Sequence, residues 1–259
     1  MAEKSLAERL RAGETVISGW STLPEPIVAE LMARSAYGAV TLDMQHGVHT
    51  LESVMRSITA VRLVGKPVAV RLAVADFATA SRALDLGADG VIMPMINSAA
   101  EARALVAATK YPPVGERSWG PVRTMALHAV PDQPTQLGTA NRETFVLAMV
   151  ETDRAIAALD EILAVEGLDG VFVGPSDLSV TLSGGAKITP TEAWLDDSLR
   201  LIAGRATAAG KVLGAFAVSV ARAKHFLSLG YRFIPLASDQ VHLADGIKAM
   251  LAEIGTLPR

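Results

Sequence analysis

Eight short apolar, β-branched runs punctuate this chain, and longer segments with apolar residues at helical spacing separate them. The runs occupy residues 15–21, 39–46, 67–72, 90–96, 144–151, 170–174, 212–218 and 233–237. Between them lie amphipathic stretches such as PIVAELMARS, TLESVMRSITAVRLV, DFATASRALDLG and TEAWLDDSLRLIAGRATAAG. This alternation signals βαβ units around a parallel sheet, whose strands are buried on both faces and so read as unbroken apolar runs. Aromatic residues make up only 5% of the chain while half of it is apolar, so small aliphatic side chains must fill the core. Three phrases, DLGADGVIMP, VEGLDGVFVG and SLGYRFIPL, each set a glycine at a helix end just before a strand. There a left-handed cap releases the chain into the sheet. Eight such units predict an α/β fold of the (β/α)8 TIM-barrel type, with residues 1–259 as one domain. An open doubly wound sheet is the alternative, but no GxGxxG follows the first run.

Several function classes drop out on composition. With no cysteine, thiolate catalysis and cysteine metal sites are excluded. A formal charge of -3 and the lack of a basic stripe give no field that favours nucleic acid or an anionic membrane. Charges, glycines and prolines interrupt every apolar run before it could span a bilayer. The charged N-terminus reads as a short helix, AERLRAG, without the apolar region of a secretory signal, so a cytoplasmic protein is expected. One segment breaks the rhythm. Residues 111–142 carry five prolines and three glycines before the fifth strand, where a connection of two to six residues is usual. An irregular excursion of this length points to a subunit interface or to a neighbour's active site.

In such a barrel the chemistry sits where strands end and βα loops begin. Those ends carry Trp20, Asp43, Gln45, His46, Arg71, Glu151, Gly174, Pro175, Ser176, Asp177, Phe216 and Asp239. Glu151 and Asp177 follow neighbouring strands, and two hard carboxylates suit Mg²⁺ or Mn²⁺, which leave positions for water and substrate. The competing reading makes each a helix cap. His46 stands out among the histidines because Asp43 precedes it by three residues at the same strand end, where a carboxylate would orient an imidazole. His49 lies close by, in the same loop, with no spacing that demands a role; His128, His225 and His242 read as surface or packing residues. Arg71 ends an apolar strand and needs an anion, from substrate or from a rim carboxylate. A Schiff-base mechanism needs a lysine inside the barrel. Lys66 and Lys211 precede their strands, Lys110, Lys224 and Lys248 lie on or beside helices, and only Lys187 falls in a loop on the active face. Enolate stabilisation is therefore left to a metal and Arg71.

The segments LDMQHG, VRL, VET and GVFVGPSDLSVTL, in this order and spacing, resemble the HpcH/HpaI family of class II, metal-dependent pyruvate aldolases. The resemblance covers residues 6–251. It implies a phosphoenolpyruvate/pyruvate-type barrel whose C-terminal helix is exchanged with a neighbour in a hexamer, a trimer of dimers. It also implies a divalent metal, Mg²⁺, Mn²⁺ or Co²⁺, on Glu151 and Asp177, chelated by a 2-oxo acid such as pyruvate. Arg71 resembles the residue that stabilises the enolate oxygen, and His46 with Asp43 the acid–base dyad. Backbone N–H groups of Ser176 and Asp177, in the Gly174–Pro175 turn, would hold the substrate carboxylate, with Trp20 and Phe216 lining the aldehyde side. Asp85 and Arg123 would come from a neighbouring subunit. Gln45 stands where many members have glutamate, Met149 replaces a common glutamine, and TLSGG departs from SLG. The pocket is thus less acidic than usual, which leaves the aldehyde and the choice of pyruvate or hydroxypyruvate open. Rival readings are an acyl-CoA lyase of the citrate-lyase-like branch, a phosphoenolpyruvate or oxaloacetate enzyme, and a non-catalytic binding barrel.

Overall fold

The computed structural model describes residues 4–255. Eight parallel strands close on themselves in sequence order. They are β1 (Val16–Ser21), β2 (Ala39–Asp43), β3 (Val68–Arg71), β4 (Gly90–Met93), β5 (Phe145–Val150), β6 (Gly170–Val173), β7 (Val212–Ala215) and β8 (Phe233–Ser238). Closure runs through the pairing of Val16 with Phe233. The helices are α1 (Leu6–Arg11), α2 (Pro26–Arg34), α3 (Leu51–Leu63), α4 (Phe77–Asp85), α5 (Ala99–Thr109), α6 (Val122–Leu127) and α7 (Gln133–Glu143). They continue with α8 (Asp153–Ala157), α9 (Leu159–Leu163), α10 (Pro175–Leu182), α11 (Asp196–Ala208), α12 (Val220–Ser228) and α13 (Asp239–Ile254). The eight expected runs become the eight strands, with β2, β4 and β7 each ending three residues before their apolar runs do.

Two cores follow from the pleat, because alternate strand residues face opposite sides. One lies between strands and helices, filled by Val, Leu, Ile and Ala such as Val40, Leu42, Val70 and Val146. The other fills the barrel with Phe145, Phe172, Phe233, Met149 and Trp20. Phenylalanines fit there because neighbouring strands offer glycine: a Cβ on Gly90, paired with Phe145, would lie 2.3 Å from the Phe145 ring. Leu6, Ala7 and Leu10 of α1 join this inner core and close its N-terminal end. A capping box between Ser5 and Glu8 starts that helix.

Residues 111–142 are more ordered than their composition predicts. They contain α6 and most of α7, and α7 begins on an Asp132 cap with proline in its first turn. That start signal is visible in DQPTQ; the low apolar content of the segment hides it. Asn141 exchanges two hydrogen bonds with the backbone of Tyr111, so the excursion folds back on its own origin. Lys110 is buried below β5 and β6, paired with Asp169 at 2.9 Å. Burial pushes its ammonium down against the pull of Asp169, but it lies at the end opposite the rim.

The last helix behaves differently from the rest. In α13 only Asp239 is buried, and Leu243, Ile247, Met250, Leu251 and Ile254 are all more than half exposed. Among the described residues no helix is long and apolar enough to cross a membrane.

Candidate active site

Asp43 and Arg71 end adjacent strands and are partners in register, so their side chains emerge on one face. The pair is bidentate, with Arg71 Nε donating to Oδ1 at 2.8 Å and Nη2 to Oδ2 at 2.6 Å. Both side chains are buried, a setting in which breaking the pair costs about 3–5 kcal/mol. Trp20 supports the pair from β1: its indole N–H donates to Asp43 Oδ2 at 3.3 Å, and the Arg71 guanidinium lies 4.7 Å from the centre of its ring. Burial raises the Asp43 carboxyl, but Arg71 and the backbone N–H groups of Gln45 and His46 outweigh it and hold it below the usual carboxylate range.

The Asp43 carboxylate bonds the backbone of His46 and not its imidazole. Asp43 Oδ1 accepts the backbone N–H of His46 at 3.3 Å, and both carboxylate oxygens are committed to Arg71. A guanidinium fork satisfies two oxygens at once, which one imidazole N–H does not. The His46 ring stands exposed at the mouth.

Glu151 and Gly174 follow β5 and β6, whose last residues, Val150 and Val173, are in register. Glu151 is buried, and Oε1 accepts the Met95 N–H at 2.7 Å. Its other oxygen, Oε2, is buried with no hydrogen-bond partner. Burial pushes this carboxyl up to about 7, opposed by the Met95 N–H, reinforced by the Asp177 charge and tempered by Arg71. An unpartnered, desolvated carboxylate oxygen facing a second acid is a place for a cation. The donor set fits a divalent metal: two hard carboxylates with remaining positions open. Among the described residues no third acid or histidine joins them in a cluster, so water and substrate would complete the shell. The capping alternative is not met for either acid. Thr152 caps α8, and α10 has no side-chain cap, leaving the first N–H groups of that helix for an anion.

Gly174 makes room for Glu151. A Cβ at this position would sit 2.3 Å from Oε2. Gly174→Ala is therefore expected to displace the carboxylate and weaken Mn²⁺ binding by about 10–100-fold, measured by titration calorimetry, with secondary structure unchanged by circular dichroism.

A cavity of about 160 Å³ opens above these groups, lined by Trp20, His46, Arg71, Met149, Gly174, Pro175, Ser176, Asp177 and Phe216. Trp20 and Phe216 pack at 5.0 Å between ring centres and with Met149 make one wall apolar. A larger cavity of about 480 Å³ beside α5 and α9 lies away from the strand ends. Asp85 and Arg123 are not at this rim. Asp85 ends α4, bound to Arg117 at 2.5 Å, and Arg123 of α6 donates to Thr59 Oγ1.

Three supporting residues are given no role by the motifs. Met95 has φ +56°, a left-handed conformation that a side chain disfavours and that aims its N–H at Glu151. Asn97 holds that turn, donating to the Met95 carbonyl at 2.8 Å and accepting from Thr152 Oγ1. Thr181 Oγ1 donates to the Glu151 carbonyl at 2.8 Å and ties α10 to β5.

A closed parallel barrel with acids, an arginine and a histidine at its C-terminal rim is the architecture of a (β/α)8 enzyme. A family model described as HpcH/HpaI aldolase/citrate lyase matches residues 17–246, and the chain belongs to that family. It is 37% identical over 245 residues to a hydroxypyruvate/pyruvate aldolase of Rhizorhabdus wittichii, covering 95% of this chain and 96% of the relative. It is 33% identical over 257 residues to a 4-hydroxy-2-oxo-heptane-1,7-dioate aldolase of Salmonella dublin, covering 98% and 95%. Among solved structures, an HpcH/HpaI aldolase from Desulfitobacterium hafniense superposes with a TM-score of 0.89 at 27% identity, covering 99% and 98%. The protein is an aldolase, a carbon–carbon lyase.

Proposed function

We propose that the protein is a class II aldolase that joins the enolate of pyruvate or hydroxypyruvate to an aldehyde, and cleaves the product by the reverse path. The observation that carries this reading is the orphaned Glu151 Oε2 beside Asp177, roofed by Gly174. Glu151 and Asp177 would hold the metal, Mg²⁺ or Mn²⁺ by donor chemistry. Bound there, it would supply Lewis acidity to the 2-oxo group of the substrate. The N-terminus of α10, with the N–H groups of Ser176 and Asp177, orients the carboxylate of the 2-oxo acid. Arg71, already locked by Asp43 and Trp20, presents its charge to the developing enolate oxygen without having to reorganise. His46 moves the proton: its ring is exposed at the mouth and reaches substrate directly or through water. The apolar wall of Trp20, Met149 and Phe216 faces the aldehyde.

We assign the protein to the cytoplasm and to a homo-oligomer, a trimer of dimers. The exposed apolar stripe of α13 supports the latter, because a surface of that kind needs a cover and a second copy supplies one. Asp85 and Arg123, remote from their own pocket, would then be presented to a neighbour.

Deuterium uptake at C3 of pyruvate in D2O tests the reading. Exchange is expected with Mg²⁺ or Mn²⁺ and lost on chelation; exchange that persists in chelator would sink the metal role. A panel of aldehydes with either donor then identifies the acceptor.

Metal binding should also depend on pH. The Glu151 carboxyl lies near 7 in the folded chain, against 4.5 ordinarily. Between these values the folded protein keeps a proton that the unfolded chain has lost, so this group's contribution to stability falls as pH rises. A cation needs the carboxylate, so protons compete with it below about 7. The rise in melting temperature on adding Mn²⁺ is expected to be larger above that pH than below it, by thermal-shift assay. An equal shift on both sides would contradict Glu151 as a ligand.

A further inference from the structure

The densest buried polar network outside the pocket lies behind the His46 loop, at the foot of α13. Asp239 is the first residue of that helix and its only buried one. Its carboxylate accepts from Thr22 N at 2.9 Å, Thr22 Oγ1 at 2.5 Å, Leu23 N at 3.0 Å, Ser21 Oγ at 3.1 Å and Gln240 N at 2.9 Å. The β1 end is thereby fastened to α13.

The same β1 end carries the His46 loop. Val48 N–H donates to the Thr22 carbonyl at 2.9 Å. Gly47 packs so closely that a Cβ there would lie 3.0 Å from Thr22 Cα and 2.3 Å from the Asp43 carbonyl. Ser21 Oγ, which donates to Asp239, lies 3.1 Å from His49 Nε2, and His49 Nδ1 lies 3.1 Å from Ser53 Oγ. Ser53 closes the capping box that starts α3. A series of contacts thus runs from α13 through Asp239, Ser21 and Thr22 to Gly47, Val48 and His49, the three residues that directly follow His46 in the chain. His46 donates its backbone N–H to Asp43 Oδ1 at 3.3 Å, which places the loop and leaves the ring to its neighbours.

We infer that His49 and Asp239 are positioning residues that set the His46 ring and make its placement depend on how α13 is held. The inference rests on the aldolase reading for what His46 does, but not for where His46 sits. Since Ser21 gives its proton to the carboxylate, the stronger acceptor, His49 Nε2 is the nitrogen placed to donate to Ser21 Oγ. The charged groups facing the ring are Asp239 and Asp43. Burial holds His49 below its ordinary 6.5 against both of them and a hydrogen bond to the Ser21 backbone.

The test reads the His46 ring by NMR, its signal assigned by its disappearance in His46→Gln. His49→Ala, His49→Gln and Ser21→Ala are compared with the wild type without substrate. Ser21→Ala leaves Asp239 four donors and so keeps the fold if His49→Ala does not. The His46 signal is expected to move in Ser21→Ala and His49→Ala and to return toward wild type in His49→Gln, whose amide can reach Ser21. In parallel, kcat for pyruvate C3 exchange should fall about 10-fold or more in His49→Ala, with Mn²⁺ affinity and pyruvate KM unchanged. A His46 signal that stays put in every folded variant overturns the inference. A displaced signal with unchanged exchange supports the positioning and instead removes His46 from the proposed chemistry.

Discussion

Glu151→Gln is expected to cut pyruvate exchange severely while making the metal-free protein more stable above neutral pH. The wild-type carboxylate is buried with one oxygen unpartnered, and its carboxyl lies near 7 rather than 4.5. Keeping it ionised at about pH 8 therefore costs the fold roughly 3 kcal/mol. Glutamine removes the charge and keeps an oxygen for the Met95 N–H. Its NH2 group inherits the place without an acceptor, a penalty of about 1–3 kcal/mol that offsets part of the gain. At about pH 5, where the folded wild type is already protonated, the advantage should vanish. Activity should fall on the order of 10³-fold, the rate equivalent of the several kcal/mol a Lewis acid contributes. Melting curves at the two pH values, with exchange rates under saturating Mn²⁺, check both halves. A variant destabilised at alkaline pH would show that Glu151 is structural.

Removing Arg71 should be costly in both stability and rate. Arg71→Met leaves Asp43 buried with the Trp20 N–H and two backbone N–H groups but without its counter-charge. The loss in urea unfolding is expected near the lower end of the 3–5 kcal/mol that orphaning a buried charge typically costs. Exchange should slow by about 10²–10³-fold, as for removal of one preorganised donor to a developing oxyanion. The double variant Asp43→Asn/Arg71→Met separates the two effects. It removes the stranded charge and should recover part of the stability, while exchange stays slow because nothing meets the enolate oxygen. A double variant no more stable than Arg71→Met would show that Asp43 gains nothing from the pair.

Much of the site was legible because a parallel barrel converts sequence position directly into place. Any residue that ends a strand is delivered to one rim, so Arg71, Glu151, Asp177 and His46 could be assembled without coordinates. The helices of the excursion at 111–142 are hard to read in the sequence because α6 is short and α7 is polar, and hydrophobic periodicity is a poor guide to such segments. What the Asp43 carboxylate bonds is hidden from the sequence for another reason. Proximity in sequence places Asp43 and His46 together, but register across β2 and β3 sets Arg71 opposite Asp43, and a bidentate partner takes both oxygens.

The sequence by itself determined the barrel, the ends of its strands and the identities of the groups at its mouth. These depend on local patterns: apolar runs, glycine caps and the residues that follow them. Only the tertiary structure decided which groups are satisfied and which are left wanting. Glu151 and Asp177 began as two acids that could have capped helices, and folding leaves Glu151 Oε2 buried and bare while Thr152 takes the cap. His49 had no motif to mark it, and became visible only when Ser21 and Asp239, from opposite ends of the chain, met beside it. Such partnerships span up to 218 positions, and the physical quantities that matter there, desolvation and hydrogen-bond satisfaction, exist only once distant segments are packed.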